Sequence, residues 1–253
     1  MACATSVPMS YLARKGQQVK VFSQLLKKAR ELGYVYPDGV GIGLAPGTKY
    51  SGATVLSPQT GAHFDIVSGL DFASLYPSII RAHELCYSTL VMDTRYDAVP
   101  GVEYYEVATE QGTFRFAQGQ PTILPALLEE LAAFRKKAKK DMAAAKARGD
   151  TFAYSLFNAR QLAFKISMNS AYGFCGASKG YLPCVPIAAS VTATGRQMIQ
   201  QTKHLAETLV AGSRVVYGET CTSCLFRPPA RPLTYRPTPS LLLQATPTAS
   251  WSS

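Results

Sequence analysis

Two groups of residues in this chain have types and spacings that could do chemistry. The first is one acid, Asp71, in the run Leu70-Asp71-Phe72-Ala73-Ser74-Leu75-Tyr76-Pro77-Ser78. A carboxylate placed where a strand leaves a sheet supplies the hard oxygen that Mg²⁺ prefers, and the turn leaves room for the ion's waters. Taken alone, an Asp before a helix is more often a cap than a metal ligand. The second group is cationic. Between Arg135 and Tyr172 lie nine Lys and Arg against Asp141 and Asp150, so this segment holds +7 of the chain's formal +10. Arg135 and Lys139 are four apart and share a helix face, while Asn158, Gln161, Lys165, Asn169 and Tyr172 step by three or four along one stripe. Two such polar, cationic stripes can face one space. A run such as Arg135 to Lys140 is by itself also what an ordinary solvated helix face looks like, but a single Lys165 among amides is not.

The elements that must position these groups follow from periodicity. Residues 11–32 carry Leu12, Val19, Phe22, Leu25, Leu26 and Ala29 at helical spacing and stop at Gly33. Gly39 to Gly52 reads as a flexible connection, Ala53 to Leu56 and Ala62 to Asp71 as strands, and Pro77 to Leu85 as a short helix with proline in its first turn. From Thr122 to Arg148, Leu124, Leu127, Leu128, Leu131, Phe134, Ala138 and Met142 mark an amphipathic helix. Gly149 and Asp150 break it, and a second helix over 151–172 must run back along the first as an antiparallel hairpin. Ile187 to Leu209 reads as a third long helix and Arg214 to Tyr217 as a strand.

Composition bounds the class. With 253 residues, 47% hydrophobic and 17% charged, the chain can bury one large core or two small ones, which excludes wholesale disorder. A charge of +10 makes a polyanion the first partner to test. Six cysteines without a secretory leader argue for a reducing interior and against a disulfide scaffold, and no run nears the roughly 18 to 20 apolar residues that cross a bilayer. The expectation is a soluble protein with no membrane partner. The stretch from Cys221 to Ser253 holds six of the sixteen prolines and no acid, and is expected to be disordered. Cys221-x-x-Cys224 has metal-knuckle spacing but no second pair, while His63, His83 and His204 share no spacing. Cys86, Cys175 and Cys184 read as buried thiols.

The run around Asp71 resembles motif A of the family B DNA polymerases, and Lys165-Ile166-Ser167-Met168-Asn169-Ser170-Ala171-Tyr172-Gly173-Phe174 resembles their motif B. Further stretches, Gly16 to Lys20, Gly52 to Val55, Ala82 to Tyr87 and Gly195 to Ile199, are similar to the delta-type replicative catalytic subunit and its large-DNA-virus relatives. The resemblance covers about Tyr11 to Gly218. It implies an α+β fold: part of a palm, an antiparallel sheet backed by helices, with an inserted fingers subdomain made of the helical hairpin. The division expected is residues 1–47 leading into the palm, 48–121 palm with motif A, 122–177 fingers with motif B, 178–220 palm ending at motif C, and 221–253 tail.

By motif position the resemblance implies that Asp71 is a ligand to both ions of a two-Mg²⁺ site. Ser74 and Leu75 would lie at the triphosphate, with Leu75 offering backbone, and Tyr76 would stack under the sugar and exclude a 2′-hydroxyl. Arg135, Lys139, Lys165 and Asn169 would hold the triphosphate, and Tyr172 and Gly173 would line the nascent base pair. Primer–template DNA, deoxynucleoside triphosphates and accessory replication subunits are the implied partners, in the nucleus or at a viral replication site.

Motif C departs from the family. Where the pattern is Tyr-Gly-Asp-Thr-Asp-Ser, this chain has Tyr217-Gly218-Glu219-Thr220-Cys221-Thr222. Cys221 is a soft donor that suits Mg²⁺ poorly, and Glu219 offers its carboxylate one methylene further out at the neighbouring position. The chain as written is therefore expected to turn over slowly, as a fragment of a polymerase cut at motif C by a frameshift, retained intron or gene-boundary error near Gly218. Two other readings stand beside it: a noncatalytic nucleotide- or DNA-binding module, and a pseudogene product without a stable fold.

Overall fold

The computed structural model describes residues 5–36, 48–64, 67–177, 180–209 and 213–219, and the backbone of 223–227. The expected connection at Gly39 to Gly52 lies mostly outside the described residues, as do Cys221 and everything after Arg227. The chain forms two compact units, one from Met1–Ala53 with Ala73–Gln197 and one from Thr54–Phe72 with Met198–Ser253. No helix among the described residues is long and apolar enough to cross a membrane.

The first unit opens with helices α1 (Met9–Arg14) and α2 (Gln17–Glu31). The latter ends where Gly33 takes a positive φ of 75°, letting Tyr34 N–H reach the Ala29 carbonyl at 2.8 Å and close the last turn. Helix α3 (Leu75–Ala82) follows motif A directly. It starts two residues before Pro77 and ends short of Leu85, because Ser74, itself in the left-handed region, can open a turn that proline then only has to tolerate.

Helices α4 (Leu124–Ala147) and α5 (Thr151–Cys175) make the hairpin. Its turn rests on two adjacent residues. Gly149 at φ 72° lets Asp150 N–H bond the Ala145 carbonyl at 3.1 Å, which closes α4, and the Asp150 carboxylate accepts from Ala153 N–H at 2.9 Å, which opens α5. Phe134 and Phe164, equally far from Gly149, meet with ring centroids 5.6 Å apart, as an antiparallel pair requires. At the root, the buried Cys86 sulfur accepts from Ile123 N–H at 3.3 Å and Leu124 N–H at 3.2 Å, so a thiol serves the first exposed donors of α4.

A three-stranded antiparallel sheet in this unit has no counterpart in the sequence reading. Its strands are Leu90–Val91, Tyr104–Thr109 and Gly112–Ala117 (β3, β4 and β5 in chain order), arranged β3-β5-β4. Phe116 and Val107 are its buried positions, and alternate residues face out. The first half of helix α6 (Val185–Leu209) is buried all round, built from small residues such as Ala188, Ala189, Ser190 and Ala193 that let neighbours approach closely.

The second unit is a four-stranded antiparallel sheet. Strands β1 (Val55–Leu56), β2 (Ser68–Leu70), β6 (Arg214–Glu219) and β7 (Ser223–Arg227) run in the order β1-β6-β7-β2. Both early strands are shorter than the sequence predicts. While the rest of the stretch expected to be disordered lies outside the described residues, five residues inside it form a strand: Ser223–Arg227 pairs with β6 and β2 as β7. Its Cys-Leu-Phe core is an ordinary strand sequence that the proline-rich average of the tail conceals. A bulge at Val216 shifts the β6 register, so Val215 and Val216 are both buried despite adjacent positions. Ile199, Ala206 and Val215 form the core, with Leu56 packed on it. A Cβ on Gly218 would come within 2.8 Å of a terminal methyl of Leu56, so a side chain there would have to displace that leucine.

Candidate functional site

In the first unit the site grows from motif A. Ser74 sits at φ 54°, ψ 54°, a conformation that costs a non-glycine residue about 1–3 kcal/mol. It is held there by Ser78, whose N–H donates to the Ser74 carbonyl at 2.9 Å and whose hydroxyl donates to the Ala73 carbonyl at 3.0 Å. The consequence is an abrupt turn that buries Leu75 and brings Tyr76 against Tyr172 of α5, ring centroids 4.5 Å apart. The Tyr172 hydroxyl lies 3.2 Å from that of Tyr50, a residue the sequence reading did not single out. Gly176 makes the approach of Tyr50 possible, since a Cβ there would overlap the Tyr50 hydroxyl. The one signal in the sequence was that Tyr50 lies two residues before the Gly52 to Val55 stretch.

Helix α5 sorts its residues by face. Phe164, Ser167, Met168, Ala171 and Cys175 are buried, while Lys165, Asn169 and Gly173 are exposed. The polar stripe ends at Tyr172. On α4, Lys139 is exposed, and the Arg135 Nε points to the Gln161 Oε1 across the hairpin at a long 3.5 Å. Gln161 is itself oriented by donating to Asn158 Oδ1 at 3.1 Å. Arg135 on one helix thus reaches Gln161 on the other, while Lys139, Lys165 and Asn169 are exposed, cations and a donor of the kinds that suit phosphate oxygens. A Cβ on Gly173 would meet nothing within 4 Å, so the helix leaves open space beside Tyr172.

Asp71 and Glu219 belong to the second unit. Asp71 is exposed and is the first residue past β2. Leu70 pairs with Cys224 and Cys224 with Gly218; one step along, Ser223 pairs with Glu219. The end of β2, just before Asp71, and Glu219 on β6 thus lie two strand spacings, roughly 10 Å, apart across β7. Glu219 Oε2 accepts from the Tyr217 hydroxyl at 3.2 Å, and desolvation together with that carboxylate raises the Tyr217 phenol above its ordinary range. Among the described residues no three of His, Cys, Asp and Glu are grouped to hold a metal ion by themselves. The two carboxylates fit a magnesium ion only if substrate phosphates and water complete its shell, the usual arrangement for this ion.

Comparison with known proteins gives one family. Residues 7–224 match the model of DNA polymerase family B. The chain is 53% identical over 227 residues to a DNA polymerase of Paramecium bursaria Chlorella virus NY2A, covering 87% of this chain and 24% of that one. It is 46% identical over 229 residues to the DNA polymerase delta catalytic subunit of Arabidopsis thaliana, covering 87% and 20%. The family B DNA polymerase of the archaeon Pyrobaculum calidifontis is similar in structure, with TM-score 0.67 and 30% identity over 90% of this chain and 28% of that chain. The chain spans a fifth to a quarter of the length of these two curated relatives.

Proposed function

This chain belongs to DNA polymerase family B, and from that premise we propose that it carries the nucleotide-gripping part of a DNA-directed DNA polymerase. The reaction is template-directed addition of deoxynucleotides to a primer 3′ end. The observation that carries this reading is the hairpin: Arg135 reaches Gln161 across it, Lys139, Lys165 and Asn169 are exposed along it, and the polar stripe ends at Tyr172, whose ring lies against that of Tyr76.

In this reading Arg135, Lys139, Lys165 and Asn169 hold the triphosphate and take up charge that builds on its oxygens during transfer. The strained turn at Ser74 brings the start of α3, with Leu75 and Tyr76, to the same phosphates. Tyr76, fixed by Tyr172 and through it by Tyr50, blocks a 2′-hydroxyl. Gly173 leaves room for the base pair. Residues 122–177 act as fingers, and 48–121 with 178–220 as palm. When bound, magnesium supplies activation of the primer hydroxyl and charge neutralisation on the leaving group; Asp71 would hold it, with Glu219 as second carboxylate. Cys221 contributes a soft sulfur where the family pattern has an acid, so turnover is slow. Primer–template DNA, deoxynucleotides and accessory replication subunits are the partners, at a nuclear or viral replication site.

The experiment pairs deoxynucleotide binding with primer extension in Mg²⁺. Binding that falls at least tenfold in Lys165→Ala, and extension that is slow in the natural chain and rises in Cys221→Asp, are the expected results. Absence of nucleotide binding, or binding indifferent to Lys165→Ala, would overturn the proposal. A second reading, a binding module without chemistry, is favoured by Cys221, and binding without any extension in Cys221→Asp would select it.

A further inference from the structure

The cations of the hairpin do not share one face. Arg135 and Lys139 lie on the nucleotide stripe, but Phe134, Lys137, Ala138 and Asp141 form a second stripe on α4, displaced by about 100°. On α5, Leu156, Arg160, Ala163 and Phe164 are displaced from Gln161 and Lys165 in the same way. These second stripes and helix α2 enclose a cleft of about 750 Å³ on the other side of the hairpin. That size is typical of a small-molecule site.

The cleft has an apolar floor and a cationic rim. Leu127, Leu131 and Phe164 are buried in the floor, and Phe134, 47% exposed, lays its ring beside that of Phe164. On the rim, Lys28 is satisfied by Glu31 and Glu130, both at 3.3 Å, which ties α2 to the hairpin. Lys27, Lys137 and Arg160 make no ion pair with another described residue and face only one further acid, Asp141. Over the whole lining four cations meet three acids, a surplus of one positive charge above two aromatic rings, which favours negative charge and a flat apolar body together.

We infer that this cleft is a binding site for a planar aromatic anion, separate from the nucleotide stripe of the hairpin. Its carboxylate, phosphate or sulfonate would lie between Lys137 and Arg160 and its ring against Phe134. The inference does not rest on polymerase activity. The probe is anilinonaphthalenesulfonate, titrated by fluorescence into the full chain beside its uncharged analogue N-phenylnaphthylamine. The double variant K137E/R160E tests the rim, and Phe152→Ser, an exposed aromatic outside the cleft, serves as control. Expected are saturable binding of the sulfonate, at least tenfold weaker binding of the neutral analogue, and at least tenfold weakening in K137E/R160E with an unchanged thermal melt. The inference is overturned if the sulfonate does not bind, if the neutral analogue binds as well, or if K137E/R160E leaves affinity intact. It is equally overturned if Phe152→Ser weakens binding as much as the double variant.

Discussion

Gly173 separates folding from function at the level of a single residue. It lies within helix α5, where glycine costs about 1 kcal/mol relative to alanine, and an added methyl would meet no atom within 4 Å. Gly173→Ala should therefore raise the melting temperature while lowering nucleotide incorporation, because the methyl enters the space left for the base pair. Thermal denaturation and single-nucleotide insertion on the same preparation check this, and a variant that is stabilised and equally active would remove Gly173 from the site. Asp71, Lys165, Asn169 and Tyr172 were singled out by the sequence as candidates because motif spacing picks them out without knowledge of packing. Tyr50 was not, since its hydroxyl partner is more than a hundred residues away and the contact depends on the missing side chain of Gly176.

The hairpin and the motif A helix each hinge, as elements, on one polar terminal residue. Asp150→Ala removes the acceptor for Ala153 N–H and should cost about 1 kcal/mol, read as a lower denaturation midpoint with unchanged steepness. His83 follows the last residue of α3 and stacks on Tyr105 of β4 with centroids 4.0 Å apart, which joins helix to sheet. Burial lowers its pKa below the ordinary 6.5. The unfolded chain thus binds the proton first as pH falls, so this contribution is complete above pH 6.5 and is lost as pH drops from there toward the folded-state value. The melting temperature of the natural chain should fall more steeply than that of His83→Phe over this interval, and parallel curves would rule the contribution out. Helix α4 and the turn were readable from leucine spacing and the Gly-Asp pair. The β3-β5-β4 sheet was not assigned, although Phe114-Arg115-Phe116 alternates as a strand should, because such a short run is outweighed by longer helical patterns.

The charge of +10 makes a prediction for the molecule as a whole: binding to primer–template DNA should weaken at least about tenfold between roughly 50 and 200 mM salt, as phosphate contacts displace counterions. Filter binding across a salt series tests it, and a flat response would mean that the positive surface does not meet the DNA backbone. The sequence by itself determined the family, the helical hairpin, the order of motifs and the departure at Glu219 and Cys221, since all of these are properties of residue type and spacing along the chain. Only the tertiary structure decided that Arg135 reaches Gln161 across the hairpin and that Lys137 and Arg160 line a cleft with helix α2. It also decided that Ser223–Arg227 completes the sheet bearing Asp71 and Glu219, and that Tyr50 braces Tyr172. The physical reason is common to all three. Helical and strand periods fix the face on which a residue lies, but what that face meets is set by chain segments distant in sequence, which only packing brings together.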